Sequence, residues 1–204
     1  MKIICLARNY VKHAEELNNP LPEAPIFFFK PDSAIIHKNK PFYYPDFSKN
    51  IHYEAELILK IDRLGKKIAP VFAHRYYGEI GIGIDFTARD LQNECKQKGL
   101  PWEISKGFDG SAVIGKFIKK EKFLDINNIH FKLEKNGETV QKGNSKDMIF
   151  PFYKIVSYVS KFVTLKMGDL IFTGTPAGVG PVKIGDRLIA SIEDEVLLDF
   201  CVKN

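Results

Sequence analysis

Cysteine is scarce in this 204-residue chain and poorly placed for cross-linking: Cys5, Cys95 and Cys201 are odd in number and widely separated. That excludes a disulfide framework and any Cys-x-x-Cys zinc pattern, and makes a reducing cytoplasm the expected compartment. Arginine is nearly as scarce, with Arg8, Arg63, Arg75, Arg89 and Arg187 the full set. The net charge of +5 comes from lysines spread singly among acidic residues, and the one tight basic cluster is Lys119, Lys120 and Lys122. A nucleic-acid surface needs a basic stripe with aromatics or an arginine-rich groove, so no nucleic-acid partner is expected. No apolar run approaches the length of a membrane span, and Met1 to Leu6 lead straight into Ala7-Arg8-Asn9, so neither a membrane segment nor a secretion signal is expected. Repeats and linker-like stretches are missing as well. Apolar residues are spread evenly, which predicts one compact domain over residues 1–204.

What is present reads as a strand-rich α+β chain. Residues 2–7 predict a short strand, followed by Asn9 as an N-cap and a two-turn helix from Tyr10 to Leu17, stopped by Asn18, Asn19 and Pro20. Such a helix is too short to hold itself together unless it docks on something. Phe27 to Phe29 predict a buried strand ended by Lys30 and Pro31. From Ile51 to Ile61 the alternation is clean: Ile51, Tyr53, Ala55, Leu57, Leu59 and Ile61 face one way, and His52, Glu54, Glu56, Ile58 and Lys60 the other. A further strand over Ile80 to Ile84 ends in Asp85, and Thr87 with Asp90 predicts a capping box opening a helix to about Lys98, stopped by Gly99 and Pro101.

The second half predicts strands at Ile114 to Phe117, Ile129 to Lys135 and Thr139 to Lys142, with a hairpin at Asn136-Gly137. A helix near Pro151 to Val163 follows, then a strand at Asp169 to Thr173 and a hairpin over Arg187 to Val202 turning at Glu193 to Glu195. The regular strand-helix alternation of a doubly wound sheet is missing.

Glu54 and Glu56 leave one strand face with Cβ atoms about 7 Å apart. A divalent cation between them turns repulsion into coordination, with Asp85 completing an all-oxygen set that suits Mg²⁺ or Mn²⁺ better than zinc. The plainer reading is the wet face of an edge strand. His13 and Glu16 share a helix face, as a supported base or as a solvated surface pair. Arg89 and Gln92 are likewise three apart. The Thr173-Gly174-Thr175-Pro176 segment lacks the Gly-Lys-Ser/Thr of a phosphate loop, leaving a turn that offers backbone N–H groups and a hydroxyl to a carboxylate, or simply a turn.

Five ordered segments carry a resemblance: Ala7-Arg8-Asn9-Tyr10 with His13 and Glu16; His52 to Leu57; Asp85 to Gln92; Lys106-Gly107-Phe108-Asp109; and Thr173 to Pro176. Together they resemble the fumarylacetoacetate hydrolase family over nearly the whole chain, with Ala7 standing where the family usually has glycine. Glu94 to Trp102 is most similar to its short acylpyruvate hydrolase and oxaloacetate decarboxylase branch.

The resemblance implies a mixed β-roll of the family's C-terminal-domain type, commonly homodimeric, with a short N-terminal lid helix at about residues 8–25. It implies Mg²⁺ or Mn²⁺ on Glu54, Glu56 and Asp85, a His13/Glu16 base on the lid, and Lys106 facing the substrate with its pKa lowered by metal and burial. Arg8, Arg89, Gln92 and Thr175 are its implied substrate contacts. The implied substrate is a small 2-oxo acid, and the implied reaction is acylpyruvate hydrolysis or oxaloacetate decarboxylation through an enolate, with tautomerisation or isomerisation as the alternative. His37, His52, His74 and His130 are expected to be structural or on the surface.

Overall fold

The computed structural model describes residues 1–17, 19–37 and 39–204, so the helix stop expected at Asn18 lies outside the described residues. In chain order the first elements are β1 (Ile3–Ala7), α1 (Val11–Glu16), β2 (Ile26–Lys30), β3 (Ile35–Ile36), β4 (Phe42–Tyr43), β5 (Ile51–Tyr53) and β6 (Ala55–Ile61). Next come β7 (Tyr77–Asp85), β8 (Thr87–Ala88), α2 (Arg89–Lys98), α3 (Glu103–Lys106) and β9 (Ala112–Lys119). The chain ends with β10 (His130–Lys135), β11 (Glu138–Asn144), α4 (Phe152–Phe162), β12 (Leu170–Phe172), β13 (Gly180–Pro181), β14 (Arg187–Ile192) and β15 (Glu195–Lys203).

These strands make a seven-stranded sheet in the order β2-β1-β12-β6-β7-β9-β3, a five-stranded sheet β11-β10-β14-β15-β4, and a three-stranded sheet β13-β5-β8. The sheets are mixed: β1 runs parallel to β12, β3 to β9 and β15 to β4, while the other pairs are antiparallel. The strand-rich α+β class is the one expected. The main core holds the predicted inward set Ile51, Tyr53, Ala55, Leu57, Leu59 and Ile61 together with Leu188, Ala190 and Leu198 of the five-stranded sheet. Ile58 falls in a second cluster with Ile3, Cys5 and Phe172, so both faces of β6 are covered. Among the described residues no helix is long and apolar enough to cross a membrane.

The run from Ile51 to Ile61 is not one strand. It breaks at Glu54: β5 pairs with β8 and β13, whereas β6 pairs with β7 and β12. The backbone at the break is satisfied from elsewhere, Asp85 N–H donating to Glu54 O at 2.8 Å and Ala55 N–H to Gln141 Oε1 at 2.9 Å. The chain also passes between these two sheets from β7 to β8, at Phe86 just after Asp85, and from β12 to β13, through a loop that begins with Thr173, Gly174 and Thr175. Three sheet-to-sheet crossings thus stack in one seam.

Three further local expectations are corrected. Asn9 does not cap α1, whose N-cap is Tyr10 without a side-chain bond. The Asn9 amide instead donates to Phe150 O at 3.0 Å and Thr173 O at 2.8 Å and accepts from Phe150 N–H at 2.8 Å. Three buried backbone groups outweigh one exposed helix end. Thr87 and Asp90 form no capping box: Thr87 lies in β8, the N-cap is Ala88, and Asp90 accepts from Ser48 Oγ and Lys49 N–H. The run Phe27 to Phe29, expected to be buried, lies on the edge strand β2 and is only partly covered, while Lys30, which ends the strand as expected, is buried. The helix α3, unforeseen, carries Lys106 in its last turn. By contrast α2 does stop at Gly99, which takes φ +64°, and α4 and both late hairpins lie within a residue or two of their expected places.

Asn9→Ala strands three buried backbone partners, and its expected cost is about 2–4 kcal/mol in urea unfolding. A loss below about 0.5 kcal/mol would mean that water replaces the amide.

Candidate carboxylate site

The seam brings Glu54, Glu56 and Asp85 together. One carboxylate oxygen from each lies within 4.8 Å of the other two, and the residues are 5%, 1% and 1% exposed. The wet edge-strand reading is therefore excluded. Burial of three carboxylates demands compensation, and three cations from three other segments supply it. Arg89, at the start of α2, reaches Glu54 Oε1 at 2.5 Å. Lys106 Nζ lies 2.8 Å from Glu54 Oε2 and 2.9 Å from Asp85 Oδ2, and donates to Thr87 Oγ1 at 2.6 Å.

The third cation, Lys30, went unnoticed in the sequence. Its Nζ lies 2.8 Å from Asp85 Oδ1, donates to Ser111 Oγ at 3.0 Å, and also bonds Lys106 O. The contact with Asp85 Oδ1 has the distance of an ion pair without the angle of a hydrogen bond, so that oxygen keeps a lone pair free of any hydrogen bond. A lysine closing an aromatic run before proline was the available signal, but lysine in that place is usually exposed.

The three carboxylates differ in consequence. Burial opposes ionisation of Glu54, but Lys106 and Arg89 outweigh it and hold its carboxyl well below the usual range. Glu56 has no ion-pair partner among the described residues; its Oε2 accepts only Gly174 N–H, at 2.6 Å. Burial first, then Asp85 and Glu54, push its carboxyl well above the usual range. A hard dication fits this set: oxygen donors only, one of them short of positive charge, and a buried Asp85 lone pair unengaged. Burial favours the neutral form of Lys106, but Asp85 and Glu54 prevail and hold it above the ordinary lysine value.

Arg8, His13, Glu54, Glu56, Arg89, Gln92, Lys106 and Thr175 line one cavity, joined by Phe28, Lys96 and Trp102. Asp85 does not line it; it is buried and paired with Lys30 and Lys106. The cavity volume is about 30 Å³, far below that of an ordinary small-molecule pocket. His13 is buried, with Nδ1 3.4 Å from Glu16 Oε2. Burial lowers its pKa from 6.5 against the pull of Glu54 and Glu16, so the imidazole is neutral at pH 7. Glu16 also accepts Gly178 N–H at 3.0 Å, tying α1 to the loop between β12 and β13. Arg89 donates to Gln92 Oε1 at 2.6 Å. Thr175 Oγ1 gives its hydrogen to Ala55 O and accepts from Gln141 Nε2, both at 2.9 Å, which leaves the substrate side an oxygen rather than a donor. His52 is half-buried, bonded to Asn50 Oδ1, with its pKa lowered to about 4 by burial and by Arg89. All three cysteines are unpaired, and Cys5 and Cys95 are buried.

Buried carboxylates and a neutral histidine lining one cavity describe a class of acid-base enzymes. Residues 2–202 match the profile of the fumarylacetoacetate (FAA) hydrolase C-terminal family, and the chain belongs to that family, whose members are enzymes. It is 40% identical over 201 residues to the mitochondrial oxaloacetate tautomerase FAHD1 of Bos taurus, covering 98% of this chain and 91% of that one. It is 39% identical over 206 residues to a mitochondrial oxaloacetate decarboxylase of Dictyostelium discoideum, covering 99% and 94%. The crystal structure of fumarylpyruvate hydrolase from Pseudomonas aeruginosa, in complex with Mn²⁺ and pyruvate, superposes with a TM-score of 0.94 at 36% identity, covering 100% of this chain and 89% of that one.

Removing one member of a buried ion pair leaves the other uncompensated. Lys30→Met is accordingly expected to lower the free energy of unfolding by about 3–5 kcal/mol, read by urea titration, whereas a loss under about 1 kcal/mol would show that Lys106 suffices for Asp85.

Proposed function

We propose that this chain is a Mg²⁺- or Mn²⁺-dependent enzyme acting on small 2-oxo acids, hydrolysing the C–C bond of acylpyruvates or decarboxylating oxaloacetate through an enolate. The observation that carries this reading is the convergence of three buried carboxylates under a neutral histidine. Glu54, Glu56 and Asp85 would hold the ion, which supplies, when bound, a Lewis acid for the ketone and carboxylate oxygens of the substrate. The Mn²⁺ and pyruvate held by the Pseudomonas hydrolase support both the ion and the substrate head.

The chain's own residues divide the remaining work. Arg89 and Gln92, linked to each other and lining the cavity, orient the substrate carboxylate. Lys106 adds fixed positive charge where the enolate develops. His13, oriented by Glu16, takes a proton from water in hydrolysis, and the hydroxide so formed attacks the acyl carbonyl. Decarboxylation needs no nucleophile, since carbon dioxide departs and leaves the same enolate. Keto-enol tautomerisation is the second reading, favoured by the name of the bovine relative; it asks His13 only to move a proton at C3.

Residues 8–25 act as a lid in this reading. The six-residue α1 is too short to persist undocked, and a space of about 30 Å³ admits a 2-oxo acid only if that segment moves. The working form is proposed to be a homodimer in the cytoplasm, with no nucleic-acid partner; the two relatives named above are mitochondrial.

Glu56→Ala is expected to abolish turnover of acetylpyruvate and oxaloacetate while leaving the far-ultraviolet circular dichroism intact; full activity would remove Glu56 from the metal set. His13→Gln is expected to slow acetylpyruvate hydrolysis by about 100-fold or more and oxaloacetate decarboxylation far less. Because the His13 pKa lies below 6.5, the neutral base persists at that pH and the acid limb of hydrolysis falls at lower pH. Equal losses in the two reactions would contradict this division of labour.

A further inference from the structure

The cavity carries more positive charge than its own carboxylates answer. Of the four cations that line it, Arg89 and Lys106 are paired with Glu54. Arg8 and Lys96 meet no carboxylate among the described residues. Lys96 is exposed at the cavity rim, its Nζ 5.8 Å from the centre of the Trp102 ring. Burial beside the rim and repulsion from Arg89 and Arg8 lower its pKa, as befits an ammonium without an anion.

Helix α2 sets where this charge lies. Arg89, Gln92 and Lys96 fall at i, i+3 and i+7 and share one face, and all three line the cavity. Arg89 touches Glu54 at the deep end, and Lys96 stands about 10 Å further along the axis at 1.5 Å per residue. Trp102 meets Phe28 edge to face at 6.1 Å between ring centres, making an aromatic wall between the two ends. A basic residue in the last turn of a helix also stabilises its dipole. That role needs no place in the cavity, and Lys98 fills it already, paired with Glu94.

We propose that Lys96, aided by Arg8, binds the tail of the substrate and selects 2-oxo acids that bear a second carboxylate. The inference rests on the function proposed above, since it takes the three buried carboxylates as the site of the 2-oxo head. The tail carboxylate then meets a free ammonium along the Trp102 wall, while a methyl or ethyl tail leaves that ammonium in water and gains nothing from it.

The test compares two ligands with the same head, 2-oxoglutarate and 2-oxobutyrate, which differ by one carboxylate at the tail. Their affinities are measured by calorimetry with Mg²⁺ present on the full chain, its Lys96→Met and Lys96→Arg variants, with circular dichroism as the check on folding. Preference for 2-oxoglutarate is expected in the parent, to shrink by about tenfold or more in Lys96→Met, and to return largely in Lys96→Arg. In turnover the same substitution is expected to raise KM for oxaloacetate and fumarylpyruvate more than for acetylpyruvate, with kcat moving little. No preference in the parent, or a preference that survives Lys96→Met, overturns the assignment. If the preference behaves as expected but no 2-oxo acid is turned over, the tail site stands and the reaction proposed above fails.

Discussion

Three carboxylates removed from water within a few ångströms of one another must be compensated, and most of the structure serves that requirement. Taking an ion into a protein interior carries an effective penalty of several kcal/mol. The compensating cations come from separate parts of the chain: Lys30 ends the edge strand β2, Arg89 opens α2, and Lys106 closes α3. Edge strand, helices and sheet seam are coupled because none can leave without stranding a charge. The compensation is also uneven. Glu54 has two cations, Asp85 has two, and Glu56 has one amide hydrogen. A site balanced in this way is tolerable without an ion yet keeps one strong reason to take one.

The N-terminal segment is fixed at two points of different strength. Asn9 anchors it through three buried hydrogen bonds, whereas the bond from Gly178 N–H to Glu16 is exposed. Water replaces the second contact readily and the first hardly at all. Just before the first of them Arg8 takes φ +58°, uncommon for a residue with a side chain, and aims the chain from β1 toward α1. The anchor also explains a glycine. A Cβ on Gly174 would sit 2.7 Å from Asn9 Cβ, and its φ of +98° is one that other residues rarely adopt, so the loop that gives Glu56 its amide packs against the residue that anchors the N-terminal segment.

The sequence carried the alternation of β6, the stops at Gly99 and Pro101, the Asn136-Gly137 hairpin and the helix near Pro151 to Val163, because each depends on neighbours within a few positions. It did not carry the break at Glu54, since Ile51 to Ile61 alternate identically whether they lie in one sheet or two. The roles of Asn9, Thr87 and Lys30 were missed for a related reason. Local rules assign Asn and Thr to helix caps and lysine to water, and long-range demand from buried carbonyls and carboxylates prevailed. Residues at spacings of two and three, such as Glu54 with Glu56 and His13 with Glu16, were visible as pairs. That the pairs meet each other was visible only through the resemblance.

The names borne by the relatives, tautomerase, decarboxylase and hydrolase, do not require different sites. Each reaction places negative charge on the oxygen next to the substrate carboxylate, and each gains from the same fixed cations as that charge grows. They differ in what leaves or joins C3: a proton, carbon dioxide or an acyl group. The head of the site is therefore a poor judge between them, because it touches only atoms that the reactions share. Discrimination has to come from two places the head does not reach. In the proposed reaction one is the availability of an activated water, for which His13 would be oriented by Glu16 and hence by the docking of α1. The other is the tail, and in this chain the tail runs along α2 past Trp102 toward Lys96, a wall belonging to a helix that the buried ion pair of Arg89 with Glu54 already holds in place.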